Sequence, residues 1–164
     1  MRPEARSRKK ITDRDLASLA EVARADRAEF FARSRPSALS NKILCVALCQ
    51  GAALHYVDGK NGVKDFDVWT FYRGQGKSQF PPRRIVSRDF GHPKFGRSVD
   101  RPDYIGRRVD LIGRSIPVRP SESPIAALRR YVTEGKTESA RRLAEKAIVL
   151  LEPARLRGRI VWPA

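Results

Sequence analysis

The chain has 164 residues, of which 41% are hydrophobic, and its 34 Lys and Arg residues against 18 Asp and Glu residues give a formal net charge of +16. This length and hydrophobic content are typical of one folded domain and exclude a disordered chain. No run of about 18 apolar residues is present, so we expect no transmembrane helix and no membrane partner. The start MRPEARSRKK lacks the apolar core of a signal peptide, which predicts a cytoplasmic protein.

The positive charge has two interpretations. A basic surface attracts polyanions, so nucleic acid and nucleotide phosphates are natural partners. An Arg-rich composition shared by many proteins of one organism would give the same charge without such a partner. Composition alone leaves both open.

The first third of the chain predicts a long helix. Apolar residues recur at helical spacing from Asp13 to Arg33, and Thr12 or Asp13 is suited to cap the helix start. The apolar run that follows, over residues 42–50, predicts a strand.

A second helix and a second strand are predicted next. The helix runs from Gly51 to Gly59, although one continuous helix through the preceding apolar run is the alternative. The segment KDFDVWTFY at residues 64–72 alternates apolar and polar residues and is rich in aromatic and β-branched side chains. It predicts the clearest strand of the chain.

Residues 73–104 are rich in Gly, Pro, Arg and Lys, and we expect no regular element there longer than a short hairpin. Such a long connection is usually functional, so this basic excursion is predicted to be ordered and to bind phosphate. The cations proposed for that binding are Arg83, Arg84, Lys94 and Arg97.

The C-terminal third predicts a strand and two helices. The strand covers residues 108–116, with Asp110 on the face opposite to Val109 and Leu111. Ser123 and Pro124 open one helix, and Thr137 caps another that continues to Leu151. The tail at residues 157–163 either adds a strand or only packs.

These elements predict an α+β fold with a helical C-terminal part. Residues 1–12 are expected to form a disordered basic tail, and residues 13–164 a single domain.

Two acids in the clearest strand attract attention. Residues i and i+2 of a strand point to the same face, so Asp65 and Asp67 lie side by side while Phe66 and Val68 face the other way. Adjacent carboxylates repel each other unless a cation lies between them. With Asp110 on a later strand, they fit the oxygen ligands that Mg²⁺ or Mn²⁺ requires, although a solvated strand edge gives the same D-x-D pattern.

Gly51-Ala52, followed twelve residues later by Asp65-Phe66-Asp67-Val68, resembles the pattern of the DNA polymerase beta-like nucleotidyltransferase superfamily. In that superfamily Gly followed by Gly or Ser opens a helix, an Asp-hydrophobic-Asp strand follows, and a later strand supplies a third acid, here Asp110. The resemblance is strongest to small stand-alone members, including toxins of abortive-infection systems, and covers residues 42–116. Ala52 departs from the pattern, where the family has Gly or Ser.

The resemblance implies a small mixed β-sheet flanked by helices and transfer of a nucleoside monophosphate from an NTP to a hydroxyl group. It implies that the three acids hold two Mg²⁺ or Mn²⁺ ions, with Asp110 also drawing a proton from the acceptor. It further implies that Gly51, Ala52 and Lys64 contact the nucleotide. The acceptor would be RNA, another nucleic acid, a protein or a small molecule.

Three classes of function remain open from the sequence. One is this nucleotidyltransferase, the second is a non-catalytic module of the same fold that binds nucleic acid through its basic surface, and the third is a two-metal nuclease. In each case with a metal cluster, we expect that neutralising one acid, as in Asp65→Asn, relieves like-charge repulsion in the metal-free protein.

Overall fold

A computed structural model of the protein describes residues 6–33, 36–74 and 85–164. This part of the chain contains four α-helices and six β-strands. The helices are α1 (Asp13–Arg33), α2 (Gln50–Asp58), α3 (Pro124–Glu134) and α4 (Glu138–Ala144). The strands are β1 (Ile43–Cys49), β2 (Phe66–Arg73), β3 (Ile85–Asp89), β4 (Arg108–Ile116), β5 (Ile148–Glu152) and β6 (Ile160–Trp162). Along the chain these elements follow the order α1-β1-α2-β2-β3-β4-α3-α4-β5-β6.

The six strands form one mixed sheet in the order β3-β4-β2-β1-β5-β6. Strands β2 and β4 are parallel, and every other neighbouring pair is antiparallel. The predicted α+β class is therefore confirmed. None of the helices in the described ranges has the length and apolarity needed to cross a membrane.

Helices cover both faces of the sheet. One core lies between the sheet and helices α1 and α2, and a second core lies between the opposite face and helices α3 and α4. Strand β2 contributes to both, because Phe66 and Val68 enter the first core while Trp69 and Phe71 enter the second. Its period-2 pattern is thus that of a central strand with two buried faces.

The apolar run after residue 42 is a strand followed by a helix, not one continuous helix. Strand β1 is buried between β2 and β5, so its backbone groups pair with neighbours on both sides. Helix α2 begins directly at Gln50 and ends at Gly59, whose φ of 68° is the left-handed conformation that favours glycine.

Residues 6–12 follow a defined path in place of the disordered tail expected from the sequence. Ser7 and Val63 exchange two backbone hydrogen bonds of 2.9 and 2.8 Å, and Ile11 is buried in the first core. The carbonyl of Lys9 also lies 2.9 Å from Nε2 of the buried His55. Backbone pairing and one apolar anchor hold this basic segment in place, whereas residues 1–5 lie outside the described ranges.

The prediction of a helical C-terminal part is wrong beyond Ala144. The helix expected to continue to Leu151 ends there, and residues from Ile148 form strand β5, which pairs with both β1 and β6. The run IVLLE is buried on both faces of the sheet, so its continuous apolar pattern belongs to a central strand. The tail adds strand β6.

Thr137 is expected to stabilise the fold as the N-cap of α4. Its Oγ1 accepts a hydrogen bond of 3.1 Å from the amide of Ala140 and lies 3.1 Å from the hydroxyl of Tyr131. Thr137→Ala should therefore lower the free energy of unfolding by about 1 kcal/mol in urea denaturation. The matched control is Thr133→Ala, because Thr133 only bonds back to carbonyls of its own helix. Equal losses in the two variants would contradict the capping role.

Candidate functional site

The three predicted acids come together on one face of the sheet. Asp67 and Asp110 are direct neighbours in the parallel register of β2 and β4. Asp65 lies immediately before β2, two residues from Asp67. All three are on the side of the sheet that carries Trp69, as the alternation of β2 predicts.

A guanidinium group lies among these acids. Arg108 Nη2 donates a hydrogen bond of 3.0 Å to Asp65 Oδ2, and its Nε lies 3.2 Å from Asp110 Oδ1. Its Nη1 donates to Asp100, which lies in the loop before β4. Asp110 also accepts a hydrogen bond of 2.7 Å from the hydroxyl of Ser87 on β3. One side chain therefore bridges three carboxylates from different segments.

Asp67 is the acid that this guanidinium compensates least. Burial, and then the negative charges of Asp65 and Asp110, raise the pKa of Asp67 to about 7. Arg108 and Lys146 act in the opposite direction but do not cancel that rise. Asp67 is thus held largely away from water beside two other acids, and a cation bound directly at its carboxylate would stabilise the charged form.

The start of α2 borders the same acids. No side chain caps this helix at Cys49. The amide of Gln50 donates a hydrogen bond of 3.2 Å to the carbonyl of Ala147, whereas the next amides, those of Gly51 and Ala52, have no side-chain cap. A helix N-terminus with free amides and a positive dipole end is a ready site for phosphate. The side chain of Ala52 is buried in the core, so only its backbone is offered to a ligand.

A cavity of about 230 Å³ connects the helix start to the acids. Four cations line it, Arg6, Lys64, Arg142 and Lys146, together with Asp65, Asp67, Trp69 and Ile112. Lys146 lies close to the helix start, because a Cβ placed on Gly51 would be 3.7 Å from its Nζ. The cavity therefore brings carboxylates, cations and the start of α2 together in one lining.

Two donors in this cavity have no partner among the described residues. The Nε1 of Trp69, a side chain only 5% exposed, and the Nε2 of Gln50 are both buried without a hydrogen bond. Gln50 also has a φ of 62°, an uncommon conformation for a residue other than glycine. Unsatisfied buried donors and a strained residue are typical of ligand sites.

The basic excursion is partly visible beside the acids. Its residues Ser87 and Asp100 touch Asp110 and Arg108, and Tyr104 donates a hydrogen bond of 3.2 Å to the carbonyl of Ser87. Of the cations proposed for phosphate binding, Lys94 instead forms a 2.5 Å ion pair with Asp15 on the far face, where α1 packs.

Arg83 and Arg84 lie outside the described residues, so their predicted role in binding phosphate stays a prediction. Arg97 is described and exposed, and its charge helps to lower the pKa of Asp89. Its predicted role in binding phosphate also stays a prediction.

No group of three His, Cys, Asp or Glu side chains in the described ranges is arranged to hold a metal ion as it stands. At the three predicted acids, Arg108 accounts for this arrangement. Its guanidinium contacts both Asp65 and Asp110, so these carboxylates bind the guanidinium and do not converge on a common point.

Several residues of the candidate site were not predicted from the sequence. Arg108 could have been predicted, because it lies two residues before Asp110 on the same strand and must share its face. Arg142 and Lys146 could not, because they are about 75 residues or more from the acid pair in the sequence and only the packing of α4 and the residues after it brings them near. For Gln50, which directly follows strand β1, only its position next to Gly51 pointed to the site.

Comparison of the chain with protein-family models, with curated proteins and with solved structures gave no match. The resemblance to nucleotidyltransferases therefore rests on the short motifs at residues 51–52, 65–68 and 110 alone.

Proposed function

We propose that this protein is a metal-dependent nucleotidyltransferase that transfers a nucleoside monophosphate from an NTP to a hydroxyl acceptor. One observation carries the proposal: a single cavity joins the uncapped start of α2 and its basic lining to the adjacent carboxylates of Asp65 and Asp67. A polyphosphate with a bound divalent cation is complementary to that arrangement.

The acids fit a divalent metal by their chemistry. Asp65, Asp67 and Asp110 supply hard oxygen ligands from two neighbouring segments, and burial and the two other acids raise the pKa of Asp67, so a bound cation would stabilise its charged form. Mg²⁺ or Mn²⁺ held there supplies charge neutralisation at the reacting phosphate and an activated attacking oxygen.

The remaining lining fits a nucleotide. The amides of Gly51 and Ala52, with Lys64, Arg142 and Lys146, are placed to bind the phosphates that leave. Trp69 and Ile112 give the cavity an apolar wall, which suits the ribose or the base.

The proposed reaction is a displacement at the α-phosphorus of the NTP. The acceptor hydroxyl oxygen forms a bond to the α-phosphorus of the NTP, and the bond between that phosphorus and the oxygen bridging to the β-phosphate breaks. Pyrophosphate leaves, and a carboxylate of the site, for which Asp110 is our choice, accepts the hydroxyl proton. No covalent bond to the protein is required.

The test is label transfer. The pure protein is incubated with each α-labelled NTP and Mg²⁺, with total RNA or a mixture of small hydroxyl compounds as acceptor, and a γ-labelled NTP serves as control. We expect the α label but not the γ label in the acceptor, release of pyrophosphate, and loss of both in Asp65→Asn.

The outcome also separates the alternatives. A protein that binds RNA but no NTP at millimolar concentration would be the non-catalytic nucleic-acid-binding module. Cleavage of the RNA without any NTP would identify the nuclease.

A further inference from the structure

Arg108 lies where the metal-binding acids need a cation. Its guanidinium contacts Asp65, Asp100 and Asp110, and its side chain is 26% exposed. Strand β4 places it two residues before Asp110, so the side chain reaches the acids from within their own face of the sheet. It is the only cation in ion-pair contact with Asp65 or Asp110 among the described residues.

A divalent cation and this guanidinium compete for the same oxygens. Two positive charges at such short range repel each other even at the dielectric constant of a partly exposed site, and the second charge of a divalent ion doubles the repulsion. The guanidinium already contacts Asp65 Oδ2 at 3.0 Å and Asp110 Oδ1 at 3.2 Å. A metal ion that binds these same carboxylates therefore meets the guanidinium at close range, and the two cations cannot both bind there at low cost.

We propose that Arg108 is a built-in counter-ion that occupies the carboxylate cluster of the metal-free protein and that a divalent cation must displace. This inference rests on the proposed function, because it assumes that the acids bind a metal. Arg108 is then a positioning residue: it keeps three like charges together before the metal arrives, and it lowers the apparent metal affinity by the free energy of its own contacts. Its partial exposure gives the long side chain room to swing toward solvent.

The test compares binding of Mn²⁺ alone, without nucleotide, by isothermal titration calorimetry in the wild type, Arg108→Gln and Arg108→Lys. Each contact that Arg108 makes to a carboxylate must be given up when the metal binds, so Arg108→Gln should bind Mn²⁺ at least about tenfold more tightly than the wild type. Arg108→Lys keeps one charge but not the three-way bridge, and its affinity should fall between the two.

The matched control is Arg88→Gln. Arg88 also pairs with two acids, Asp26 and Glu29, but does so on the opposite face at helix α1. Its variant should bind Mn²⁺ as the wild type does. Without metal, Arg108→Gln should have a lower melting temperature than the wild type, and added Mn²⁺ should raise that temperature more than it does in the wild type.

The outcomes separate this inference from the proposed function. Unchanged or weaker Mn²⁺ binding in Arg108→Gln, with clear binding in the wild type, overturns the counter-ion role and leaves the metal site standing. Absence of Mn²⁺ binding in all variants overturns the metal site and the inference together. Should Arg108→Gln not fold, Arg108→Lys decides, because an affinity equal to that of the wild type contradicts displacement.

Discussion

Asp67→Asn is expected to stabilise the metal-free protein at pH 8 by about 1–3 kcal/mol and to abolish Mg²⁺-dependent nucleotide binding. Burial and the neighbouring Asp65 and Asp110 raise the pKa of Asp67 from 3.8 to about 7, so at pH 8 a poorly compensated charge is held in the folded protein. Asparagine keeps the shape of the side chain and removes the charge. A rise of the pKa from 3.8 to about 7 sets an upper limit of about 4 kcal/mol, which solvent screening in the open cavity reduces.

The sign of the pH dependence follows from the direction of this shift. Because the pKa of Asp67 is higher in the folded than in the unfolded protein, the folded state holds its proton more firmly. The stability contributed by this group is complete below pH ~4 and is lost as the pH rises through about 7. Asp67→Asn has no such group and does not lose this stability. The difference in unfolding free energy between the variant and the wild type should therefore grow, in favour of the variant, as the pH rises from about 4 to about 8.

Urea denaturation at pH 4, 6 and 8 measures this difference, with Asp103→Asn as control. Asp103 is 67% exposed and pairs only loosely with Arg101, at 3.5 Å, so its variant should follow the wild type at every pH. If Asp67→Asn is less stable than the wild type at pH 8, the charge of Asp67 is compensated in the folded protein and the proposed metal site loses its main electrostatic support.

In the structure, the acid whose neutralisation should relieve repulsion is Asp67 and not Asp65, which the sequence suggested. The sequence places both acids on one face, which makes them equivalent, but it does not show that Arg108 binds Asp65 at 3.0 Å and leaves Asp67 without an ion-pair partner in the described residues. Asp65→Asn therefore breaks a favourable pair, while Asp67→Asn removes an unfavourable charge.

Local patterns predicted most of the fold because each element satisfies its own physical requirements. Strand β2 is rich in aromatic and β-branched residues, α2 is followed by a glycine in the left-handed conformation, and Ser123 caps the helix that begins at Pro124. Strand β5 was missed because a fully buried strand is apolar at every position, and its residues directly follow a helix. Periodicity cannot separate the two structures in such a run.

The acids of the site were predictable and its cations were not. Two carboxylates at i and i+2 share a face in any strand, so Asp65 and Asp67 are adjacent whatever the tertiary structure. The positions of Arg142 and Lys146 depend on how α4 and the residues after it pack against the face of the sheet that carries the acids, and an Arg-rich chain offers many equivalent candidates. Charge composition shows that cations are abundant, but only packing shows which of them face the acids.

Replacing Arg142 and Lys146 together by Ala is expected to weaken NTP binding about 100-fold. Both side chains line the cavity at the start of α2, and Lys146 Nζ lies within 3.7 Å of the Cβ position on Gly51. Charge-assisted hydrogen bonds to phosphate contribute typically 1.5–3 kcal/mol each, so losing two of them removes about 3 kcal/mol or more of binding free energy. Isothermal titration calorimetry with ATP in the presence of Mg²⁺ measures the loss.

The matched control is Arg141→Ala, because Arg141 is the neighbour of Arg142 on the same helix but is exposed and does not line the cavity. It removes one positive charge, half of what the double variant removes, from nearly the same place, so a general effect of net charge would give it about half of the double variant's loss of binding free energy. A series of ATP, ADP and AMP then locates the contact. If the two cations bind the leaving phosphates, the loss of affinity caused by the double variant becomes smaller with each phosphate removed. An equal loss of affinity for AMP and ATP would instead place the cations beside the α-phosphate or the ribose, and would reverse the proposed orientation of the nucleotide.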